Sequence, residues 1–193
     1  IVSGRLRLGI GDPTVLEAFA NARLGDRKHR KELERAYNEI SDLGLIAEAL
    51  WKYEGEKALR TVEKMTVTVG RPLRSELCER LPNAEKTIEK MGEVISQFKY
   101  DGFRTQMHLD RKSGLVKLYS RNLEETTHSF PEIIKGILDQ IDADSVILDS
   151  ETLAYHPESE EFFPFQETTK RRRKYGIEEM AEALPLRAFV FDI

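Results

Sequence analysis

Apolar residues recur at helical spacing over the first seventy positions, in Val15, Leu16, Ala18 and Phe19 and again in Leu43, Leu45, Ile46, Ala49 and Leu50. This stretch is therefore predicted to be helices joined by short loops. Thr14 is placed to cap the first helix, with Glu17 three residues on completing a capping box. Gly70-Arg71-Pro72 then ends regular structure and the pattern changes character. Short alternating runs at 94–98, 103–109 and 115–119 read as strands, with Asp110-Arg111-Lys112-Ser113-Gly114 as a hairpin turn. Residues 145–148 and 186–193 read as two more. Between the hairpin and the first of these, 131–141 is predicted as a helix with proline in its first turn. A second helix, over 165–175, would carry the basic run Lys170-Arg171-Arg172-Arg173-Lys174. The expectation is an α+β chain with an all-helical part over 1–70 and a part with antiparallel sheets over 71–193.

Composition narrows the class without choosing the function. The 193 residues suffice for one sizeable core or two small ones, and 40% hydrophobic content excludes a disordered chain. The single cysteine, Cys78, cannot form an internal disulfide, and no apolar run has the length of a membrane span or a signal-peptide core. An intracellular protein with no membrane partner is expected. A net charge of −4 argues against indiscriminate nucleic-acid binding. The first 35 residues, however, hold eight Lys/Arg against five Asp/Glu, a balance of +3 that leaves −7 for the remainder. There, Arg5-Leu6-Arg7-Leu8-Gly9-Ile10-Gly11 sets arginines beside glycines, which lets backbone come close to a partner while guanidinium groups reach phosphate oxygens. Arg5, Arg7, Gly9 and Gly11 are candidate DNA contacts; the competing reading is an amphipathic turn with solvated arginines.

The candidate chemistry centres on Lys99-Tyr100-Asp101-Gly102-Phe103-Arg104, a lysine at the head of the predicted hairpin. A lysine amine, ordinarily titrating near 10.4, attacks phosphorus at neutral pH only where its surroundings favour the neutral form. Three downstream groups could serve a nucleotide-transfer site. Arg121, in Ser120-Arg121-Asn122, would emerge at the rim of the sheet, placed for a phosphate. Asp149 and Glu151, two apart on a strand, would point to one face, which suits a ribose hydroxyl or hydrated magnesium. Phe189 and Phe191 put rings on alternate strand positions, where one could stack on a base. Taken singly, each has an ordinary structural reading as core ring, turn carboxylate or solvated face.

In order, Lys99 to Arg104, Ser120-Arg121-Asn122, Leu148-Asp149-Ser150-Glu151 and Phe191-Asp192 resemble the first four nucleotidyltransferase motifs of ATP-dependent DNA ligases. Pro164-Phe165-Gln166 with the basic run is similar to the stretch these ligases carry before the Phe-Asp motif. Upstream, Leu6 to Gly11 with Thr14 to Ala18, and Ala36-Tyr37-Asn38 with Ser41 to Gly44, resemble the helical DNA-binding domain of the archaeal and eukaryotic replicative type. The resemblance implies the C-terminal part of a DNA-binding domain over 1–70 and the N-terminal part of an ATP-grasp-like adenylation domain over 71–193. It implies Lys99 as the nucleophile that attacks the α-phosphate of ATP to give a lysine-AMP phosphoramidate. Arg104 would hold ribose or nucleotide phosphate and Arg121 a phosphate of ATP or of the nick. Glu151 would hold the ribose and take part in binding Mg2+ or another divalent cation, and Phe191 would stack on adenine. Nicked double-stranded DNA is the implied substrate, with a sliding clamp as a candidate partner of a monomeric enzyme, cytoplasmic if archaeal and nuclear if eukaryotic.

Two departures qualify the implication. Where the family commonly has glutamate two residues before the lysine, this chain has Gln97, whose amide both accepts and donates and so tolerates a keto purine better. The chain also stops just after the Phe-Asp motif, short of the later motifs and the OB-fold domain. A ligase fragment with feeble or no self-adenylylation is expected. The alternatives are another lysine nucleotidyltransferase, namely an RNA ligase or an mRNA-capping guanylyltransferase, and a non-catalytic DNA-binding module.

Overall fold

A computed structural model describes residues 10–75, 79–173 and 175–193. The chain divides into two compact units, Ile1–Leu73 and Arg74–Ile193.

In the first unit, helices α1 (Asp12–Phe19), α2 (Arg30–Ile40), α3 (Leu43–Lys52) and α4 (Gly55–Glu63) enclose a core of Leu16, Leu33, Ile46, Leu50 and Val62. Each of these five is at most 1% exposed. Burial of their aliphatic stripes, rather than intrinsic propensity, holds such short helices together. Asp42 caps α3 by accepting from the backbone N–H groups of Gly44 and Leu45 at 2.8 and 3.1 Å. The capping box expected at Thr14 and Glu17 does not form. Helix α1 starts three residues earlier, with Gly11 as N-cap and proline in the first turn, so Thr14 lies inside it. Glu17 instead faces Arg27 and Arg30.

The second unit opens with α5 (Ala84–Met91), capped by Asn83. Strands β1 (Phe103–Asp110), β2 (Leu115–Ser120), β3 (Ser145–Ala154) and β4 (Leu186–Asp192) form an antiparallel sheet in the order β2-β1-β3-β4. Helix α6 (Pro131–Gln140) lies between β2 and β3 in the chain. The pleat puts Phe103, Met107, Leu109, Leu118, Leu148 and Leu186 in one core with Ile133 and Ile137 of α6. Buried hydroxyls on that face are paired: Ser150 Oγ donates to the Thr105 carbonyl at 2.7 Å and Thr152 Oγ1 to Thr105 Oγ1 at 2.9 Å. Register Arg104↔Glu151, Gln106↔Asp149 and Gln106↔Tyr119 sets Arg104, Gln106, His108, Tyr119, Asp149 and Glu151 on the opposite face.

Three sequence expectations change here. Residues 94–98 form no strand. Alternation alone does not make one: Ile95 and Phe98 are 90% and 87% exposed, and no ladder partner meets them among the described residues. Strand β3 runs on to Ala154, six residues past the expected end, because Thr152, Leu153 and Ala154 are buried between β1 and β4. The helix expected over 165–175 is a single turn, α7 (Phe165–Thr168), followed by a 3-10 turn, Thr169–Arg171. Arg171 is only 1% exposed and paired with Glu132 of α6, so the basic run turns inward at its second residue rather than presenting one solvated helix face. Helix α8 (Ile177–Ala183), which packs Met180 against the core, and α5 were not anticipated.

Candidate functional site

The segment carrying Lys99 has no regular structure until β1 begins, so its course is fixed by what it touches. Gly102 is the tightest point. A Cβ there would lie 2.2 Å from the Thr152 carbonyl oxygen and 2.9 Å from Leu153 Cγ, so only glycine lets the backbone pass this close to β3. The Gly102 N–H then donates to Glu151 Oε1 at 3.0 Å. Upstream, Gln97 Nε2 donates to the Phe191 carbonyl at 3.2 Å. Between these tethers, the Tyr100 ring stacks on Phe189, centroids 4.3 Å apart, and Phe162 meets Phe189 edge-on at 5.4 Å. Lys99 is held between fixed neighbours and stays exposed to solvent.

Glu151 lies at the junction of several charges. Burial pushes its carboxyl above the usual carboxylate range, while the Gly102 N–H and the positive charges of Lys99 and Arg121 pull it back and Asp101 opposes them. Electrostatically, Lys99, Asp101, Glu151 and Arg121 therefore share one end of the sheet. Arg121 directly follows β2 there and makes no hydrogen bond or ion pair with other described residues.

Arg104 has a firm partner: its Nε donates to Asp149 Oδ1 at 2.7 Å and its second guanidinium nitrogen to Oδ2, at 10% and 16% side-chain exposure. Such a bidentate pair fixes both groups in the plane of the sheet face. The β4 ladder slips where Asp149 pairs Asp192 while Ser150 pairs Val190, leaving Phe191 as the extra residue of a bulge. Phe191 is 42% exposed, and the ring that alternation would have equated with it, Phe189, packs on Tyr100.

The structure thus brings Lys99, Gln97, Glu151, Arg121 and Phe191 into one neighbourhood, with Arg104 directly opposite Glu151 in the β1–β3 ladder and its side chain engaged by Asp149. Of the candidate DNA contacts, Arg5, Arg7 and Gly9 lie outside the described residues. Gly11 is exposed, and its carbonyl accepts from the Thr14 and Val15 N–H groups at 3.0 and 3.2 Å. Tyr100 and Phe162 complete the site and had no role assigned from the sequence, whereas Asp149 and Phe189 had entered only as the second carboxylate and the alternate ring. For Phe189 the signal was its alternation with Phe191; Phe162 left none, because its approach depends on the turn between β3 and α7. Among the described residues no group of three or more His, Cys, Asp or Glu side chains could hold a metal ion. No described helix is long and apolar enough to cross a membrane.

An antiparallel sheet with, at one end, an exposed lysine, a half-buried glutamate and an arginine that makes no ion pair among the described residues defines an α+β domain. The family described as ATP dependent DNA ligase domain matches residues 75–193, and the chain belongs to that family. The "Probable DNA ligase" of Dictyoglomus turgidum is 43% identical over 193 residues, covering 100% of this chain and 32% of that protein. "DNA ligase 2" of Korarchaeum cryptofilum is 42% identical over 194 residues, again 100% of this chain and 32% of the relative. The chain spans about a third of the length of the curated relatives it matches. Among solved structures, mycobacterial DNA ligase D complexed with ATP and MES is 23% identical over 50% of this chain and 27% of its own, at a TM-score of 0.37, a likeness too slight to bear on the assignment.

Proposed function

We propose that this chain is the part of an ATP-dependent DNA ligase that carries the nucleophile and forms a covalent lysine-AMP intermediate. The observation that carries the reading is the double tether of the Lys99 segment, at Gly102 to Glu151 and at Gln97 to Phe191, within a member of this family. The Lys99 amine, once neutral, attacks the α-phosphorus of ATP; an N–P bond forms and the bond to pyrophosphate breaks. AMP passes next to the 5′-phosphate of a nick, and the 3′-hydroxyl displaces it to close the strand.

This chain's residues would divide the work by position. Phe191 stacks on adenine and Gln97 reads its edge. Glu151, with one oxygen held by Gly102, offers the other to a ribose hydroxyl. Arg121 takes a phosphate, and Arg104 does so by leaving Asp149. Magnesium fits this donor set when triphosphate oxygens and water supply most of its ligands, because Glu151 brings one carboxylate and Asp149 is engaged by Arg104. When bound, it would neutralise charge developing on the leaving pyrophosphate. Residues 1–70 are proposed to grip duplex DNA as part of a DNA-binding domain, with a monomeric enzyme and a sliding clamp as candidate partner.

The test is intact-mass measurement after incubation with ATP and magnesium, using the chain joined to the remaining two thirds of the Dictyoglomus turgidum relative. A gain of one AMP that disappears in Lys99→Ala is expected. Absence of any adduct would overturn the reading, and labelling by GTP alone would favour a capping guanylyltransferase.

A further inference from the structure

Glu160 is a non-glycine residue in the left-handed region, at φ 59°. Such a conformation is strained and persists only where the surroundings over-determine it. Around Glu160 the constraints are several. Its N–H donates to the His156 carbonyl at 2.9 Å, the His156 N–H donates to the Glu161 carbonyl at 2.8 Å, and Tyr155 forms a bridge with Phe162. Arg187 of β4 adds a brace: its guanidinium donates to Glu160 Oε1 at 2.8 Å and lies over the Tyr155 ring at 4.1 Å. The turn between β3 and α7 is thereby fastened to the strand that carries Phe189 and Phe191.

The consequence is the placement of Phe162. Its ring meets Phe189 edge-on with centroids 5.4 Å apart and Tyr100 at 6.3 Å, closing a three-ring cluster around the Tyr100–Phe189 stack at 4.3 Å. Tyr100 is the residue next to Lys99, and 97–101 belong to no strand. No ladder therefore fixes the lysine segment. It meets β4 through side chains, Gln97 reaching the Phe191 carbonyl on one side of Lys99 and Tyr100 reaching Phe189 on the other. The Gln97 contact is one exposed hydrogen bond, whereas stacked and edge-on rings impose a defined mutual geometry. An attacking amine needs that restraint, because a misplacement of about 1 Å can slow a reaction about a hundredfold.

We propose that the turn between β3 and α7 is a positioning element for the nucleophile: Phe162, held in place by Glu160 and Arg187, closes the Tyr100–Phe189 stack and so fixes the backbone from which the Lys99 amine attacks. Phe162, Phe189 and Tyr100 are positioning residues, acting through Lys99 rather than on the nucleotide. The proposal deepens the ligase reading and rests on it for the reaction, in which the N–P bond forms as pyrophosphate leaves. It predicts a loss of rate with little loss of ATP affinity, since the rings restrain the attacking group and leave the uniform binding of the substrate alone.

The experiment measures single-turnover adenylylation over a range of ATP concentrations, in the chain joined to the remaining two thirds of the Dictyoglomus turgidum relative. Phe162 is 45% exposed, so Phe162→Ala leaves the core intact. That variant should lower the rate at saturating ATP at least about tenfold while the half-saturating concentration stays within about twofold. Tyr100→Ala should do the same, and Phe162→Tyr and Tyr100→Phe, which keep the rings, should restore most of the rate. An unchanged limiting rate in Phe162→Ala would overturn the proposal. So would a loss carried by the half-saturating concentration, which would hand the ring to the nucleotide, or a tyrosine variant as slow as the alanine one. Hydrogen exchange of the Gly102 amide in the 193-residue chain gives a readout that needs no adduct, and it should quicken at least about fivefold in both alanine variants. Faster exchange with no adduct in the unmodified fusion keeps the ring cluster as the restraint and sinks the ligase reading. Normal adduct formation with unchanged exchange in the alanine variants sinks the positioning role and leaves the ligase reading standing.

Discussion

The backbone N–H of Gly102 donates to Oε1 of Glu151 across 3.0 Å, so the chain three residues past Lys99 is fastened to the carboxylate at the centre of the site. Glu151 thereby has a structural task beside its proposed one. Replacing it by alanine should leave the Gly102 N–H without its partner and cost about 1–2 kcal/mol, while glutamine keeps an acceptor there. Glu151→Gln should accordingly melt close to the unmodified chain yet, in the chain joined to the remainder of the Dictyoglomus turgidum relative, take up label from ATP poorly. Equal labelling by both proteins would remove Glu151 from the ribose.

Gly102→Ala should be worse than either. Its Cβ cannot fit 2.2 Å from the Thr152 carbonyl oxygen, so β1 or β3 must shift. Overpacking of this kind costs about 1–3 kcal/mol and would drag Lys99 with it. Chemical denaturation checks the first effect and intact-mass labelling the second; an unaltered unfolding midpoint would show that β1 and β3 take up the added methyl without cost.

The Arg104–Asp149 pair is nearly buried, so removing one member strands the other charge. Asp149→Ala is expected to destabilise the second unit by roughly 3 kcal/mol, and Arg104→Lys by less, since an ammonium keeps the charge but loses the bidentate fork. Urea titration of both variants tests the order.

His108 gives the fold a pH dependence. It is fully buried, its ring nitrogen is 3.1 Å from Gln106 Oε1, and burial reinforced by the Lys117 charge pushes its imidazole down to about 4. The unfolded chain takes up a proton near 6.5, which the folded chain refuses until about 4. Protonation thus favours unfolding: this contribution to stability is intact above the unfolded value and is lost as the pH falls through that window, by about 3 kcal/mol in all. Unfolding measured across the window should show the loss, and His108→Gln should flatten it.

Gln97→Glu should sharpen preference for ATP over GTP, because the carboxylate accepts from an adenine amino group and cannot donate to a keto oxygen. The same change removes the donor to the Phe191 carbonyl, so the segment should also loosen. Labelling with each nucleotide, compared between the two proteins, decides; identical ratios would exclude Gln97 from base selection.

Legibility of the chain in its sequence followed the range of the forces involved. Helices α1, α3 and α6 and the β1–β2 hairpin were readable because their periodicity and turn residues act within a few positions, as the Asp110 carboxylate does in bonding the Lys112 N–H at 3.0 Å. The 94–98 segment shows the same alternation and forms no strand, since strand formation needs a partner that local pattern does not supply. Arg171 looked like its neighbours in the basic run, and only Glu132, 39 residues earlier, draws it inside.

For the candidate site, the residue types and their order determined which chemistry to look for: a lysine with a glycine three residues on, an arginine after a hairpin, a glutamate on a strand and a phenylalanine near the last strand's end. Tertiary structure decided how they meet. It assigned Asp149 to Arg104, gave Glu151 to the Gly102 backbone, and let the β4 bulge put Phe189 rather than Phe191 against Tyr100. The physical reason is that periodicity and spacing are local properties of the chain, whereas register, bulges and the pairing of buried charge depend on strands brought together from up to about 90 residues away, as Gln97 and Phe191 are.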